Sequence, residues 1–226
     1  YGTGIYCTKC RYTIASKCVI SKNSVRTFYG YNGYGAGIYF LNCFSILIFE
    51  CKFLKNTQAG FGGGLYAKLS NHLRITHSYF LDNSVTEHGA GIYYYHGKKL
   101  SLHETVLINN QAKEYGGAIY CNNITLVEVL NSNFSKNKAI EKGSAMRLWV
   151  VKYFASINSN FVRNKKDKTC AILCIAKFYS VEIIYCNFQM NDMSGMDIQN
   201  GKILITSRTN FSISKGYYGG GIYTDK

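Results

Sequence analysis

One short pattern recurs along this chain at a nearly fixed interval, and it restricts the possible folds more than any other feature. Each copy has small residues, usually led by glycine, then an aliphatic residue and, in most copies, tyrosine. The aliphatic position falls at Ile5, Ile38, Leu65, Ile92, Ile119, Met146, Ile172, Ile198 and Ile222. Most of these intervals are 26 or 27 residues, so the repeat extends over the whole chain.

A second, independent pattern keeps the same interval. An apolar residue is followed three positions later by asparagine, as in Phe53-Leu-Lys-Asn56. These asparagines are Asn23, Asn56, Asn83, Asn110, Asn137, Asn164 and Asn191. Short alternating apolar and polar stretches lie between the two motifs, and they predict strands rather than helices.

A unit of about 27 residues with short strands cannot bury its apolar faces alone, but stacked units can. We therefore predict an all-β fold, a right-handed single-stranded parallel β-helix of about eight coils. Equivalent residues would stack about 4.8 Å apart. The asparagine side chains would then form a hydrogen-bonded ladder at one turn. A β-propeller expects longer units, of about 40 residues.

The repeat predicts a single domain over residues 1–226. It has an enlarged first coil (1–34), regular coils (35–142) and divergent coils (143–226). The sequence has no evident polar cap at either end, and solenoids normally carry one. We therefore expect a fragment of a longer chain, with protein neighbours or further coils at both ends.

The paired motifs also resemble a known family. Gly116-Gly-Ala-Ile119 and Phe53-Leu-Lys-Asn56 resemble the repeats of the chlamydial polymorphic outer membrane proteins and their relatives in protists. The resemblance covers nearly the whole chain and implies a surface-displayed β-helix with a role in adhesion. The absence of proline and the abundance of tyrosine, 20 residues, fit a relative from a protist.

The nine cysteines include two pairs that share a position in the repeat. Cys10 and Cys43 lie five residues after their aliphatic residue, and Cys18 and Cys51 lie two residues before the apolar-x-x-Asn motif. Stacking would bring each pair within disulfide distance and imply an oxidising compartment. Alternatively, the second pair are small inward residues. Cys170, Cys174 and Cys186 fall within one coil but lack paired Cys-x-x-Cys knuckles, so we expect no zinc site there. We expect no metal and no cofactor in the chain.

Three Asn-x-Ser/Thr triplets are candidate N-glycosylation sites: Asn123, Asn133 and Asn210. Asn133 and Asn210 each precede an inward phenylalanine and should therefore point outward. Together with the cysteines, these triplets favour an extracellular or cell-surface location. An intracellular assembly is the alternative.

The formal net charge of +14 favours an acidic partner, either an anionic glycan or an acidic protein surface. No nucleic-acid-binding motif accompanies the charge. No apolar run of about 18 residues is present, so we expect no transmembrane segment. Much of the charge lies beside the asparagine turn, at Lys136, Lys138, Lys142, Arg163, Lys165, Lys166 and Lys168.

The tyrosines of the first motif should form a second ladder, on the outer face of the rod. They are Tyr6, Tyr39, Tyr66, Tyr93, Tyr120 and Tyr223. Because each follows an inward aliphatic residue, we expect an exposed or half-exposed aromatic row. Packing against a neighbouring protein is the favoured role, and the alternatives are stabilisation of adjacent strands and binding of sugar rings.

One row of residues could carry chemistry. Glu50, His77 and Glu104 share a position three residues before the apolar-x-x-Asn motif, and they should stack on three successive coils. An acid–histidine–acid row could transfer protons, but a stabilising charge ladder is the favoured interpretation. Enzymes that cleave polysaccharides need clustered carboxylates, and the 12 acidic residues of this chain are scattered.

These features favour a non-enzymatic structural or adhesive β-helix of a surface or extracellular protein, which mediates assembly or binding. The first alternative is a β-helix enzyme that acts on polysaccharide. The second is a basic intracellular scaffold bound to an acidic protein lattice.

Overall fold

The computed structural model describes residues 4–25, 33–58, 60–166, 171–192, 194–212 and 221–225. In these ranges every helix or strand assigned is a β-strand, and every pairing between strands is parallel. The predicted all-β parallel β-helix is confirmed. Lys168 of the predicted basic group lies outside the described residues.

Each coil begins with a strand that carries the aliphatic motif, and we call these strands the first strand row. They are β1 (Ile5–Thr8), β5 (Ile38–Leu41), β9 (Leu65–Lys68), β13 (Ile92–His103), β16 (Ile119–Leu130), β19 (Met146–Ile157), β22 (Leu173–Ala176), β25 (Met196–Gln199) and β28 (Ile222–Asp225).

The alternating stretches form the second strand row, which joins the first row in one 14-stranded sheet. In three coils the two rows are continuous, because β13, β16 and β19 run for 12 residues around the bend between them. The separate strands of the second row are β2 (Tyr12–Ser16), β6 (Ser45–Phe49), β10 (His72–Thr76), β23 (Ser180–Ile184) and β26 (Ile203–Ser207).

Two further strand rows complete the coil and form sheets of eight and six strands. The third row holds β3 (Val19–Ser21), β7 (Lys52–Leu54), β11 (Tyr79–Leu81), β14 (Val106–Ile108), β17 (Asn133–Ser135), β20 (Asn160–Val162), β24 (Asn187–Gln189) and β27 (Asn210–Ser212). The fourth row holds β4 (Ser24–Val25), β8 (Thr57–Gln58), β12 (Ser84–Val85), β15 (Gln111–Ala112), β18 (Lys138–Ala139) and β21 (Lys165–Lys166).

Six of the described coils contain all four strand rows, fewer than the eight or so predicted. The register of the first row passes through Leu173 and Met196, so its predicted members Ile172 and Ile198 are wrong. These two partners are 23 residues apart, whereas the preceding coils repeat every 27. The residues missing from this coil follow Asn191, where earlier coils form their fourth strand.

The interior is filled by rows of identical or similar side chains that stack along the axis. Phe53 and Phe80 lie with ring centroids 4.3 Å apart, and Phe161 and Phe188 with centroids 4.6 Å apart. All four are completely buried. Parallel pairing at one strand spacing makes each inward position a continuous apolar ladder.

The seven predicted asparagines stack in a single row at the turn after the third strand. At Asn110, Nδ2 donates to Asn137 Oδ1 of the next coil (3.0 Å) and to Phe80 O of the preceding coil (2.8 Å). Its Oδ1 accepts from the backbone N–H of Asn83 (3.2 Å) and from Asn83 Nδ2 (3.0 Å). The side chain is completely buried, so these bonds satisfy turn groups that water cannot reach.

The bends between strands use left-handed backbone conformations. Three bends of the second coil place Asn42, Glu50 and Lys55 at φ values of 52–55°. The fourth bend uses Gly62 at φ 65°, where an added Cβ would lie 2.7 Å from Leu65 O. The crowded bend therefore requires glycine, and the motif's leading glycine has a backbone role.

Replacing Asn110 with alanine should lower the free energy of unfolding by about 2–4 kcal/mol, because it leaves buried donors of Asn83 and the carbonyl of Phe80 without partners. Urea unfolding followed by circular dichroism measures the change. The matched control is Asn109→Gly, which keeps the left-handed bend and removes only an exposed bond to Asp82. It should change stability by about 0.5 kcal/mol or less. Equal losses in both variants would show that the ladder has no special role.

Candidate functional site

The cysteines of the first coil do not pair as predicted. Cys10 forms a disulfide with Cys7, three residues earlier in the chain, and Cys43 is a free, buried thiol. The predicted Cys10–Cys43 disulfide is therefore corrected. The sequence signal that was missed is the Cys7-Thr-Lys-Cys10 spacing, which allows a disulfide within one coil and does not need stacking.

The predicted Cys18–Cys51 disulfide is also absent, and both residues are free thiols. Each sulfur lies near the carbonyl oxygen two residues earlier, at 3.2 Å for Cys18 and 3.3 Å for Cys51. The hydroxyls of Ser78 and Ser132 make the same contact at the equivalent position of later coils. The two cysteines are thus members of a corner row of small side chains that bond to the backbone.

The tyrosine ladder forms in register, but it is not on the surface. Tyr39, Tyr66, Tyr93 and Tyr120 stack with centroids 4.9–5.2 Å apart and are 3–9% exposed. The prediction of an exposed or half-exposed row is wrong for these four. Tyr6, on the first described coil, is 48% exposed.

A second aromatic layer covers the ladder. It consists of Tyr34, Phe61, His88 and Tyr115, which stand in one row just before the glycine bend. This layer was not predicted from the sequence, although its four residues repeat every 27 positions. The ladder ends beyond Tyr120, where its row continues through Arg147, Cys174 and Asp197 before Tyr223.

His88 is the histidine of this covering layer, and its pKa is shifted. Burial lowers its pKa from 6.5 to about 4, because a charged ring would lose its hydration. Its Nδ1 lies 3.6 Å from Glu114 Oε2, too far for a good hydrogen bond. Burial also raises the pKa of Tyr66 and Tyr93, so both hydroxyls stay protonated and the stack is uncharged at neutral pH.

The acid–histidine–acid row lies at the bend after the second strand row. His77 Nε2 is 2.8 Å from Glu104 Oε2, His103 Nε2 is 3.5 Å from Glu104 Oε1, and Glu50 Oε2 is 3.9 Å from Lys17 Nζ. These carboxylates and the His77 ring are nearly half exposed. The arrangement is that of a solvated charge ladder, in which each pair contributes about 1 kcal/mol or less.

A groove of about 490 Å³ runs across the outer surface of the second strand row. Lys99 Nζ and Ser101 Oγ both bond Glu128 Oε2, at 2.8 and 2.9 Å, so this carboxylate is neutralised. The polar side chains that line the groove are Ser45, His72, Arg74, Lys99, Ser101, His103 and Glu128. Four of these seven are cationic or can become so, which makes the groove suited to anions.

Aromatic rings with a cation over them lie on the coils before and after the groove. Tyr12, Tyr153 and Tyr179 are 66%, 36% and 42% exposed. Each cation lies 5.3–5.6 Å from its ring centroid, within cation–π distance. We call the groove and these pairs the cationic face; the pairs are Arg11 with Tyr12, Lys152 with Tyr153 and Lys202 with Tyr179.

The predicted basic group lies at the opposite turn, beside the asparagine ladder. Lys136 and Arg163 occupy the same left-handed bend on adjacent coils, and Lys138 pairs with Lys165 in the fourth row. Among the described residues, Lys136, Arg163 and Lys165 make no cation–π contact with an aromatic ring. This basic edge therefore differs from the cationic face, where exposed rings carry cations.

The three candidate glycosylation sites differ in accessibility. Asn123 is exposed at a bend, where its Nδ2 is 3.0 Å from His96 Nδ1. Asn210 is exposed on the third row. Asn133 is only half exposed and its Oδ1 is buried without a hydrogen bond, so it does not point outward as freely as predicted.

Comparison with known proteins gives one match. The sequence model of the family described as the right-handed beta helix region matches residues 1–134, which is more than half of the chain. No curated protein and no solved structure matches the chain. In the part of the chain that the structure describes, no helix has the length and apolar character required to cross a membrane.

Tyrosine occupies the position of His88 in two other coils, at Tyr34 and Tyr115. Replacing His88 with tyrosine should therefore keep the fold and remove part of the pH dependence of stability. Between pH 6.5 and 4 the unfolded chain binds a proton at this histidine and the folded chain does not. The parent protein should therefore lose about 2–3 kcal/mol as the pH falls through this window. Urea unfolding at several pH values measures the slope, and identical slopes in both proteins would contradict a buried neutral His88.

Proposed function

Because this chain belongs to the right-handed β-helix family, we propose that it is a non-enzymatic adhesive rod whose cationic face binds an anionic polysaccharide. We place it at the cell surface or outside the cell. Kinship with the chlamydial polymorphic outer membrane proteins and their protist relatives is part of this proposal. The Gly-Gly-Ala-Ile and Phe-x-x-Asn repeats support that kinship.

The cationic groove is the observation that carries the proposal. Arg74 is exposed in the groove without an ion-pair partner among the described residues, and Lys99 stands in the same groove. His72 and Lys99 are equivalent residues on adjacent coils, one strand spacing apart. An extended polyanion can contact this pair and Arg74 together, because its own charges repeat along its length.

The exposed tyrosines would supply the contact surfaces for the sugar rings. Tyr12 and Tyr153 present ring surface on coils that flank the groove. Aromatic rings present large, rigid contact surfaces, and their polar hydroxyls stay in solvent. Cations beside the rings would hold the carboxylate or sulfate groups of the same polymer.

The number and positions of the acidic residues favour a binding role over catalysis. Glycosidases place two carboxyl groups on either side of the scissile bond. The groove contains Glu128 alone, and Lys99 and Ser101 occupy one of its oxygens. Glu50 and Glu104 stand at the exposed bend and are not among the residues that line the groove.

The cationic face is favoured over the basic edge as the binding surface. Lys136, Arg163 and Lys165 are exposed charges at a turn, and such charges usually protect a sheet against edge-to-edge aggregation. The basic edge would support the alternative of a scaffold on an acidic protein lattice, so the experiment below includes a variant of it.

Replacing Arg74 with serine should weaken binding to a polyuronate or a sulfated dextran by about three- to tenfold. Serine is the residue at the equivalent position of the next coil, Ser101, so the fold should be retained. Binding is measured by calorimetry at two salt concentrations, and the affinity should fall as salt rises. Tyr153→Ser should weaken binding at both salt concentrations.

The control is Lys113→Ser, which removes the same charge from an exposed position outside the groove. It should leave affinity within about twofold of the parent protein. Equal weakening in this control or in Lys136→Ser would attribute binding to net charge and contradict the cationic face. Release of oligosaccharides from the polymer would replace the adhesive role with an enzymatic one.

A further inference from the structure

Three cysteine sulfur atoms meet in the first two coils. The Sγ atoms of Cys7, Cys10 and Cys43 all lie within 4.8 Å of one another. Cys7 Sγ and Cys43 Sγ are 3.9 Å apart. Cys7 comes from β1, whereas Cys10 and Cys43 share the bend that follows the first strand row on adjacent coils. The cluster therefore joins two coils.

We propose that the reduced form of this thiol cluster binds one Zn²⁺ ion through the three sulfur atoms. Zinc–thiolate bonds of about 2.3 Å in tetrahedral geometry place sulfur atoms about 3.8 Å apart. The Cys7–Cys43 separation of 3.9 Å is close to this value. The Cys7-x-x-Cys10 spacing is that of a zinc-binding knuckle, and Cys43 supplies the third ligand from the neighbouring coil.

Metal binding requires that the disulfide between Cys7 and Cys10 be opened. A dithiol reductant supplies two electrons and two protons, so the disulfide becomes two thiols and the reductant becomes a cyclic disulfide. Zn²⁺ then replaces the protons of Cys7, Cys10 and Cys43, and three protons are released to solvent.

The surroundings of the cluster suit such a complex. Three thiolates and Zn²⁺ carry one net negative charge, and Lys9 and Arg11 flank Cys10 in the chain. Cys10 lines a surface groove of about 430 Å³ with these two cations. Water can therefore reach the fourth ligand position, as in zinc sites with three protein ligands. Thr13 Oγ1 lies 3.5 Å from Cys7 Sγ.

Three other cysteines of the described residues are poor ligands. Burial raises the pKa of Cys51, Cys121 and Cys186, so these thiols resist the deprotonation that a metal requires. None of the three belongs to a group of ligating atoms close enough to share an ion.

The test uses the whole chain, reduced with a phosphine under anaerobic conditions and stripped of metal by a chelator. Zn²⁺ is titrated in competition with a chromophoric chelator, and Co²⁺ is used in parallel to record thiolate charge-transfer absorption. The parent protein should bind one equivalent. Cys43→Ser and Cys10→Ser should each weaken binding by more than about tenfold and reduce the charge-transfer intensity.

Cys18→Ser is the matched control and should bind like the parent protein. Serine occurs at its position in later coils, as at Ser78, and Ser70 stands at the position of Cys43 in the next coil. Circular dichroism should therefore be the same for all variants. The oxidised parent protein should not bind Zn²⁺.

Three outcomes would overturn the proposal. The first is a reduced parent protein that takes up no Zn²⁺. The second is equal affinity in Cys43→Ser and the parent. The third is Co²⁺ binding without thiolate charge-transfer absorption, because ligands other than the three sulfur atoms would then hold the metal. None of these outcomes bears on polysaccharide binding.

Discussion

Each coil is fixed against the next by buried side-chain amides that bond in both directions along the axis. An asparagine such as Asn110 donates to the coil before it and to the coil after it, and accepts from the preceding asparagine. A slip of one residue between coils would place this amide in the apolar interior and an apolar side chain at the turn. The ladder therefore sets the register on which every other row depends.

A fixed register converts each position of the repeat into a continuous row, and the surroundings of the row decide its role. The phenylalanine row fills the core, and the corner row of serine, threonine and cysteine satisfies backbone groups. The short coil after Leu173 shows how tolerant this arrangement is. Its described residues form no fourth strand, yet Phe188 and Phe211 still stack, because the deletion falls outside the rows that fill the core.

The groove and the thiol cluster both lie at positions of the repeat where equivalent residues of successive coils differ. Arg74, Lys99 and Glu128 occupy outward positions of the second row that hold apolar residues on other coils, among them Ile14 and Leu47. The thiol cluster likewise replaces ordinary members of two rows in the first coils. Positions that stacking does not constrain are free to vary, so function on a solenoid is expected where equivalent residues differ.

The sequence by itself determined the parallel β-helix, the asparagine ladder and the rows that stack, because all three follow from a period read along the chain. It did not determine the partner of Cys10 or the burial of Tyr66 and Tyr93. Their environment comes from residues elsewhere in the coil: Cys7 approaches across a bend, and Phe61 and His88 fold over the tyrosines from the preceding turn. A period predicts which residues lie above one another, and only the tertiary structure decides what lies beside them.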